Sequence, residues 1–578
     1  MSNEELPQAH MIYTEYIEKG LRKELAERLW GTIPGNMGEA YEVIKKVRER
    51  YDAPSENLEG FKKALKQQQR SLGILTSKVE NNIDNLDRGV VESGQQPMAL
   101  GGPSLILNKV AYTNSLCGIG SDGFVPVFYN ADYDGLQAEL LNIRIPSPSP
   151  RGLLFTYPAD DRLENSPIRL LPNPDERWLR SNIEKIISNY KGLMRGVKQS
   201  KQERLSQNLS HIVTVVRSAY YSTTNVSDWA AKTLGTLINL ETDLGVPILS
   251  PSNMELRPYF QGGYEYLLSE PTRSRFVGAS NRAAVLVETS GFRSQIGLRS
   301  SDYVPFFLEC MNSRCFRTRV ELKYSTEGSN AVLRGKCTKC EESYEFSFNS
   351  SSPDLTNLID YISPRVDSRQ IIVDSIMPVL AHVGGPGETS YYAEVIPAAQ
   401  ELDIPFPAYL RYTRTFYNTP WNEVMANDLK QRGYDTMLND ALFEALGCWV
   451  EARNNDDGEA LAKSHIAIRN SIESSYNELL TKMESLQSDV DNIKKKLSTV
   501  EDRSPLIREL RAKQNEANTL EQYLSWAYGR FSPERFGQEV SWAWFDLAQV
   551  TGLNDLLGVY MRMYNRHTPT SSMYFANT

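Results

Sequence analysis

The sequence predicts an α/β protein whose core is a doubly wound parallel sheet. Apolar runs that are typical of buried strands, such as VPVFY at 125–129 and GVPIL at 245–249, alternate with amphipathic helical segments at 176–199 and 226–242. Two Gly-Gly-Pro turns each follow a hydrophobic stretch and lead into a helix-like sequence. Such alternation favours parallel strands with helices packed on both faces of the sheet.

Composition restricts the class of protein. The chain of 578 residues has 40% hydrophobic residues and a net charge of −9, which is normal for several packed domains and disfavours a nucleic-acid partner. No apolar run reaches the roughly 18 residues of a membrane span, and MSNEELPQAH has no signal-peptide pattern. We therefore expect a cytoplasmic protein with no membrane partner.

The local patterns divide the chain into five segments. Periodic apolar residues predict helices before the core, and the core is interrupted once by a cysteine-rich insertion. The predicted segments are an N-terminal helical segment (1–90), the first part of the core (91–300), the insertion (301–350), the second part of the core (351–455), and a coiled-coil arm with C-terminal helices (456–578).

Four of the six cysteines form two close pairs within a 31-residue window. CMNSRC is followed, after 21 residues, by CTKC, so the candidate metal ligands are Cys310, Cys315, Cys337 and Cys340. Two pairs of thiolates on tight turns suit a tetrahedral zinc site, with iron or reduced thiols as the alternatives. A closed set of four cysteines favours a structural zinc ribbon over a catalytic metal. Cys117 and Cys448 are isolated and are interpreted as small buried hydrophobic residues.

The clearest periodicity lies in the last quarter of the chain. Nine apolar residues alternate at spacings of four and three: Ile472, Tyr476, Leu479, Met483, Leu486, Val490, Ile493, Leu497 and Val500. This heptad seam, followed by a proline at 505 and a second helical stretch, predicts an antiparallel coiled-coil hairpin. The seam is consistent with an arm that packs within one chain and with an arm that also forms a homodimer.

The stretch SGQQPMALGGPSLILNK, residues 93–109, is the first candidate binding segment. Its glycines bring backbone N–H groups to the start of a helix near Ser104, where unpaired N–H groups and the helix dipole attract anions. Lys109 would add a positive charge, and Gln95 and Gln96 offer uncharged donors and acceptors. The spacing matches neither a Walker loop nor a dinucleotide fingerprint.

The second candidate segment is HVGGPGETSYYAE, residues 382–394. If both turns lie at the carboxyl ends of parallel strands, they meet where α/β proteins bind ligands. His382 could act as an acid or base near neutral pH, although a single histidine is more often structural. Glu388 could act in the chemistry or stabilise the start of its helix.

These residues carry a resemblance to a known family. SGQQPMALGGPSLILNK resembles the pattern GQQPxxxGGPxxxxxK, and YISPRVDSRQIIVDSIMPVLAHVGGPGETSYYAEV resembles SPNVxLRPxxQxxxxPxxAYVGGPGExAYWxxL. LRYTRTFY is similar to the PRxSxT segment of the same proteins, and the likeness covers most of residues 90–578. The family is that of the bacillithiol-biosynthesis cysteine-adding enzymes, called BshC.

The resemblance implies a Rossmann-like core with connecting insertions and a coiled-coil arm that dimerises. It also implies a ligase that forms an amide between the carboxyl of cysteine and the amine of a glucosaminyl-malate. The implied binding residues are Gly94, Gln95, Gln96, Gly101, Gly102 and Lys109 in the first motif, Arg369, Gly384, Gly385, Gly387, Glu388 and Tyr391 in the second, and Arg411, Thr413 and Thr415 in the third.

The chain departs from the family pattern at three places. After the VPVFY strand the family has Glu-Asp-His-Asp, whereas this chain has NADYD, in which Asp134 is the best match and the histidine is missing. The pattern SPN becomes SPR, with Arg365 in place of the asparagine, and AYV becomes AHV. The cysteine-rich insertion lies where the family has a plainer, strand-rich connection.

Two functions from different classes follow. The favoured one is an amino-acid ligase in which Lys109, Arg369 and Arg411 neutralise an acidic substrate and Asp134 or Glu388 accepts the proton of the amine. The alternative is a catalytically altered relative that acts as a binding or scaffold protein through its zinc ribbon and coiled coil. The sequence predicts structural zinc, leaves ATP or ADP open as a cofactor, and does not name the acceptor.

Overall fold

The computed structural model describes residues 6–51, 54–136, 141–147, 152–500, 503–528, 538–570 and 573–577. No described helix combines the length and the apolar composition that a membrane crossing requires. The described α-helices are α1 (His10–Lys19), α2 (Lys23–Trp30), α3 (Met37–Arg48), α4 (Leu58–Leu72), α5 (Ser77–Asp84), α6 (Leu105–Cys117), α7 (Glu176–Leu193), α8 (Gln199–Tyr221), α9 (Val226–Gly235), α10 (Gln261–Leu268), α11 (Thr272–Thr289), α12 (Arg369–Asp374), α13 (Pro386–Glu401), α14 (Pro420–Gln431), α15 (Asp440–Asn454), α16 (Gly458–Leu497), α17 (Ser504–Ala527), α18 (Gln538–Ser541), α19 (Phe545–Thr551) and α20 (Leu556–Met561).

The strands form a central sheet, a second five-stranded sheet and two small pairs. Their bounds are β1 (Val90–Gln95), β2 (Val125–Asn130), β3 (Asn142–Ile145), β4 (Leu153–Thr156), β5 (Ile248–Leu249), β6 (Tyr303–Glu309), β7 (Arg319–Glu327), β8 (Asn330–Lys336), β9 (Ser343–Asn349), β10 (Ile362–Pro364), β11 (Val379–Gly384), β12 (Ala408–Arg411), β13 (Arg414–Asn418) and β14 (Met573–Asn577).

The central sheet has the strand order β12-β11-β1-β2-β5, and all of its pairings are parallel. Its strands alternate between two hydrophobic clusters. Val91 and Phe128 belong to the cluster on one face, whereas Val90 and Val127 belong to the cluster on the other face. Since both faces are covered, the strands are mostly apolar, and the predicted α/β fold with a parallel Rossmann-like sheet is confirmed.

The chain leaves the middle of this sheet in two opposite directions. From β1 it passes through α6 to β2, and from β11 it passes through α13 to β12 on the other side. Because β1 and β11 are neighbours, a topological switch point lies between them, where ligands bind in open α/β sheets. The two glycine-rich turns follow these two strands.

The cysteine-rich insertion is larger than the short ribbon that the sequence predicts. Its strands form an antiparallel sheet in the order β10-β6-β7-β8-β9, which we call the cysteine sheet. The strand β10 comes from residues 362–364, beyond the predicted insertion, because these residues pair with β6 on their way into the second part of the core. The cysteine sheet is thereby joined directly to α12 and β11.

The predicted arm is present as two long helices, α16 and α17. Asp489 of α16 pairs with Lys513 of α17 at 2.6 Å, and the rings of Tyr476 and Tyr528 lie 5.6 Å apart, so the helices run antiparallel. Most seam residues are buried inside this hairpin, whereas Val500 is exposed. The helix α15 also packs on the first half of α16, through a hydrogen bond from Ser471 to Asn439. Coiled-coil supercoiling and the homodimer stay predictions.

We expect that Leu479→Ala will destabilise the hairpin. Leu479 is fully buried in the seam, and truncation of a buried leucine typically lowers the free energy of unfolding by about 2–5 kcal/mol. Urea unfolding followed by circular dichroism measures the change. The control is Ile466→Ala on the same helix, because Ile466 is 61% exposed and its loss should change the free energy by less than about 0.5 kcal/mol. Equal effects of the two substitutions would contradict the described packing.

Candidate functional site

A cavity of about 1310 Å³ lies at the carboxyl ends of β1 and β11. Both glycine-rich turns line it, as expected for two turns that follow neighbouring parallel strands. We call it the central cavity. Thirteen of the seventeen binding or catalytic residues named from the sequence line it: Gly94, Gln95, Gln96, Lys109, Asp134, Arg369, His382, Gly384, Gly385, Gly387, Glu388, Tyr391 and Arg411.

The other four are not among the described residues that line the cavity. Gly101 and Gly102 adopt φ angles of +86° and +83° and pack tightly, so that a Cβ on Gly101 would lie 2.8 Å from Nε1 of Trp544. Thr413 and Thr415 are buried; the hydroxyl of Thr413 donates to a backbone carbonyl. These four residues pack within the fold, and their assignment as substrate-binding residues stays a prediction.

Lys109 is buried and satisfied within the chain. Its Nζ lies 2.5 Å from Oε2 of Glu388, 3.0 Å from the carbonyl oxygen of Gly94 and 3.2 Å from Oε1 of Gln95. The ion pair therefore joins the first glycine-rich turn to the second across the wall of the cavity. A buried pair of this kind is costly to break, because the remaining charge has no partner.

Glu388, whose side chain is 19% exposed, is the centre of a chain of charges whose other members are buried. Besides Lys109, it accepts a hydrogen bond from the backbone N–H of Gly385 at 2.8 Å and lies 3.3 Å from Nε2 of His382. The other ring nitrogen of His382 lies 3.0 Å from Oε1 of Glu92, the residue directly across the pairing of β1 and β11. The order of the chain is thus Glu92, His382, Glu388 and Lys109.

These contacts shift the pKa values in opposite directions. Burial opposes ionisation of Glu388, but the charge of Lys109 and the hydrogen bond from His382 hold the pKa of its carboxyl far below the usual range. Burial also opposes protonation of His382, but the carboxylates of Glu388 and Glu92 raise the pKa of the imidazole. A carboxylate held so strongly in its anionic form is a weak proton acceptor.

The expectation that free N–H groups of the glycine-rich turns hold an anion is wrong at two positions. The N–H of Ser104, at the start of α6, donates to the carbonyl of Trp542. The N–H of Gly385, at the start of α13, donates to Glu388, which places the chain's own carboxylate at this helix terminus. At these two positions a ligand would therefore have to displace an existing hydrogen bond.

Asp134 stands on the edge of the cavity. Its Oδ2 accepts a hydrogen bond from Nε2 of Gln96 at 3.0 Å and lies 3.8 Å from Nη1 of Arg369, while its Oδ1 lies 3.9 Å from Nη2 of Arg319. Arg369 also donates to the hydroxyl of Tyr391 at 3.1 Å. The side chain of Asp134 is 23% exposed, so that this carboxylate can meet a ligand.

Positive charge dominates the lining of the central cavity. Among the described lining residues, eight are lysine or arginine and two are carboxylates. A cavity lined by one sign of charge with low-dielectric walls attracts ligands of the opposite sign. The cations are Lys109, Arg144, Arg299, Arg319, Arg365, Arg369, Arg411 and Arg414, and the carboxylates are Asp134 and Glu388.

Sequence reasoning missed several of these residues. Glu92 could have been recognised from the sequence, since a charged residue inside the otherwise apolar strand VVES needs a buried partner. Arg319 carries no such signal, because only the folding of the cysteine sheet onto the core brings it to the cavity, and Arg365 stands out in the sequence only as a departure from SPN. The isolated Cys448 is exposed, which corrects its interpretation as a buried residue, whereas Cys117 is buried.

The four clustered cysteines can hold a metal ion. Their sulfur atoms all lie within 4.8 Å of one another. The Sγ atoms of Cys310 and Cys340 are 3.7 Å apart, and those of Cys315 and Cys337 are 3.8 Å apart. Four sulfurs placed tetrahedrally at about 2.3 Å from a zinc ion would be about 3.8 Å apart, so the donor set and its spacing fit such an ion.

A known family matches this architecture. The model of "Bacillithiol biosynthesis BshC, N-terminal Rossmann-like domain" matches residues 3–412, which include the central sheet and both glycine-rich turns. The chain belongs to the BshC family. The resemblance seen in the two motifs is thereby confirmed.

Curated relatives of this BshC-family chain carry the name "Putative cysteine ligase BshC". The one from Desulforamulus reducens is 23% identical over 351 residues, which cover 59% of this chain and 57% of the relative. The one from Chloroherpeton thalassium is 31% identical over 121 residues, or 21% of this chain and 19% of the relative. The one from Carboxydothermus hydrogenoformans is 22% identical over 436 residues, or 72% of each chain. The match thus spans just over half of the first relative and a fifth of the second.

The structure also places the departures of this BshC-family chain from the motif after β2. Asp132 is buried, and its carboxylate accepts hydrogen bonds from the hydroxyl groups of Ser227 and Ser252, whereas Asp134 reaches the cavity. The histidine expected between them is absent from the sequence. The cavity nevertheless contains the imidazoles of His10 and His382, which come from α1 and β11.

We expect the charge chain to stabilise the protein most between pH 4.5 and 6.5, the ordinary pKa values of glutamic acid and histidine. Glu388 has a lowered pKa, so its contribution is full above 4.5 and is lost in stronger acid. His382 has a raised pKa, so its contribution is full below 6.5 and is lost as the pH rises through the raised value.

The substitution His382→Gln should therefore cost more stability at pH 6 than at pH 9, as measured by urea unfolding across this range. The control is His211→Gln, because His211 is half exposed and contacts Glu241 at the surface. A cost of His382→Gln that does not change with pH would show that the imidazole is not charged in the folded protein.

Proposed function

We propose that this chain is a cysteine ligase that joins the carboxyl of cysteine to the amine of an acidic small molecule, as in bacillithiol biosynthesis. The observation that carries the proposal is the central cavity, where two family motifs meet under a strongly cationic lining. The glucosaminyl-malate implied by the motifs has the required amine and carboxylates, and we propose this class of acceptor.

The size and charge of the cavity support a reaction of two substrates. A volume of about 1310 Å³ exceeds that of a typical pocket for one small ligand, so that an amino acid and an acceptor can lie side by side. Arg369 and Arg411 reach the cavity from different sides of the switch point, on α12 and β12. Guanidinium groups suit carboxylates because they donate two parallel hydrogen bonds.

The amine of the acceptor must lose a proton before its nitrogen can attack the carboxyl carbon of cysteine. We propose Asp134 as the proton acceptor, since it is partly exposed on the cavity and Glu388 is already held as an anion by three donors. Lys109 and His382 then fix Glu388, and with it the start of α13, rather than handle the proton. Gln96 orients Asp134 through its 3.0 Å hydrogen bond.

Amide formation also requires one oxygen of the cysteine carboxyl to leave, as water or, if ATP is consumed, on a phosphate released from it. ATP or ADP stays an untested prediction for this step, and an assay with and without ATP decides it. The polar lining of the cavity supports an enzyme over the alternative scaffold function, because a scaffold has no use for buried charges that are costly to keep.

We expect cells that contain this protein to accumulate a cysteine-derived small thiol that is absent from cells without it, as measured by mass spectrometry. The purified protein should form the same amide from cysteine and glucosaminyl-malate. Asp134→Asn should lower kcat by about 10²-fold or more, because a positioned base contributes about 10²–10⁴-fold. The control is Asp302→Asn, a partly exposed carboxylate paired with Lys323 at the surface.

Two outcomes would count against the proposal. Equal activity of Asp134→Asn and the unaltered protein would remove Asp134 from the mechanism. Binding of both substrates without any product, with or without ATP, would favour the scaffold function instead.

We also propose that the four-cysteine cluster holds one structural zinc ion. The four thiolates fill a tetrahedral shell and leave no open position for a substrate, and the cluster lies on the turns that connect the strands of the cysteine sheet. Zinc would supply folding energy to this sheet and no reaction step.

Metal analysis should find about one zinc ion per chain. Cys337→Ser should lower the zinc content and increase hydrogen exchange in residues 303–349, because binding of a structural metal contributes to folding. The matched control is Cys448→Ser, since Cys448 is an exposed cysteine outside the cluster. Full protection from exchange in a zinc-free preparation would overturn the structural role.

A further inference from the structure

One wall of the central cavity is built by the cysteine sheet. Phe307 of β6, Arg319 of β7 and the residues that follow β10 line the cavity directly. Arg319 is held there by its backbone, whose N–H donates to the carbonyl of Asn165 at 2.9 Å, and by a hydrogen bond from its guanidinium to the carbonyl of Tyr133. The insertion thus contributes side chains to the cavity that a plainer connection would not.

Two arginines on this wall lie against the same aromatic ring. The guanidinium carbon of Arg319 is 5.1 Å from the centre of the Phe307 ring, and that of Arg365 is 4.1 Å from it. Both positions are departures from the family pattern, because Arg319 lies in the cysteine-rich insertion and Arg365 replaces the asparagine of SPN. Two separate departures therefore place positive charge beside the Phe307 ring.

The positive charge of Arg319 is only weakly compensated. Among the described residues, the carboxylate within 4 Å of Arg319 is that of Asp134, at 3.9 Å. The same carboxylate also lies near Arg369 and accepts a hydrogen bond from Gln96. Burial lowers the pKa of the Arg319 guanidinium, the carboxylates of Asp134 and Glu309 oppose this, and the charge of Arg365 adds to it. An arginine stays protonated even so, and its charge is then without a full counterion.

The positive charge of Arg365 is compensated by a carboxylate that does not line the cavity. It is 92% buried, since its relative exposure is 8%, and it pairs with Glu321 at 2.9 Å. The side chain of Glu321 is 70% exposed, so solvent screens this pair strongly. Within the described part of the chain, the Nε atoms of Arg319 and Arg365 have no hydrogen-bond acceptor.

We propose that Arg319 and Arg365 form a second anion-binding subsite of the central cavity, which takes a carboxylate or phosphate group of the amine-bearing substrate. The inference rests on the proposed ligase function and extends it to specificity. The acceptor of this chain carries an anionic group placed to meet the cysteine sheet, in addition to the carboxylate that meets Arg369 or Arg411. Paired guanidiniums match such a group through bidentate hydrogen bonds.

The test is anion binding by the whole protein, measured by isothermal titration calorimetry with inorganic phosphate in one arm and L-malate in the other. Arg319→Gln and Arg365→Gln should each weaken binding of at least one probe by about tenfold, and the probe that is affected identifies the class of anion. Arg319→Lys should restore part of the affinity, because lysine has the same charge but lacks the planar guanidinium that donates two parallel hydrogen bonds.

Salt dependence separates direct binding from a structural role. Screening weakens the attraction between charges, so the affinity of Arg319→Gln should fall less steeply with ionic strength than that of the unaltered protein. The control is Arg334→Gln on β8 of the same sheet, where Arg334 pairs with Glu327 and Glu345 at the surface. Circular dichroism and zinc content verify that each variant is folded.

Unchanged affinity of both arginine variants for both probes would overturn the subsite, and so would the absence of binding by the unaltered protein. The assay needs no turnover. If the protein forms no amide but Arg319→Gln weakens anion binding, the ligase function is disproved and the subsite is kept. If the protein forms the amide but neither arginine variant changes anion binding, the subsite is disproved and the ligase function is kept.

Discussion

The parallel pairing of β1 with β11 is the constraint on which the rest of the structure depends. It makes neighbours of two strands that are nearly 290 residues apart, aligns Glu92 with His382, and brings both glycine-rich turns to one edge of the sheet. The charge chain that ends at Lys109 then joins these turns through buried side chains. Because removal of one member leaves its neighbour with an unpaired buried charge, the cavity and the fold are stabilised by the same contacts.

The charges around the cavity fall into two groups with different roles. Glu388 and Lys109 satisfy each other and fix the backbone, and the arginines around them outnumber the carboxylates. Two N–H groups of the glycine-rich turns already have acceptors within the chain: Ser104 donates to a backbone carbonyl, and Gly385 donates to the carboxylate of Glu388. The other cationic side chains of the lining extend from several elements, among them α12, β12 and the cysteine sheet.

Local sequence patterns predicted the features that depend on a few neighbouring residues. The alternation of strands and helices, the two turns, the cysteine pairs and the heptad seam all have their signal within about 30 residues, and the structure contains the corresponding elements. Contacts between distant segments could not be predicted in this way. Arg319 reaches the cavity because its strand β7 pairs with β6, which in turn pairs with β10. Gly101 packs tightly against Trp544, which lies more than 400 residues further along the chain.

The wide separation of β1 and β11 has a consequence for how the protein is made. At a synthesis rate of roughly 5–20 residues per second, β11 leaves the ribosome about 15–60 seconds after β1. During that interval β1 can pair with β2 on one side only, and its other edge exposes unpaired backbone groups. The strands β6 to β9 are local hairpins and can form before β11 appears. The nascent chain therefore carries an open edge in the centre of its future sheet, where a chaperone or an early contact of the N-terminal helices would have to prevent aggregation.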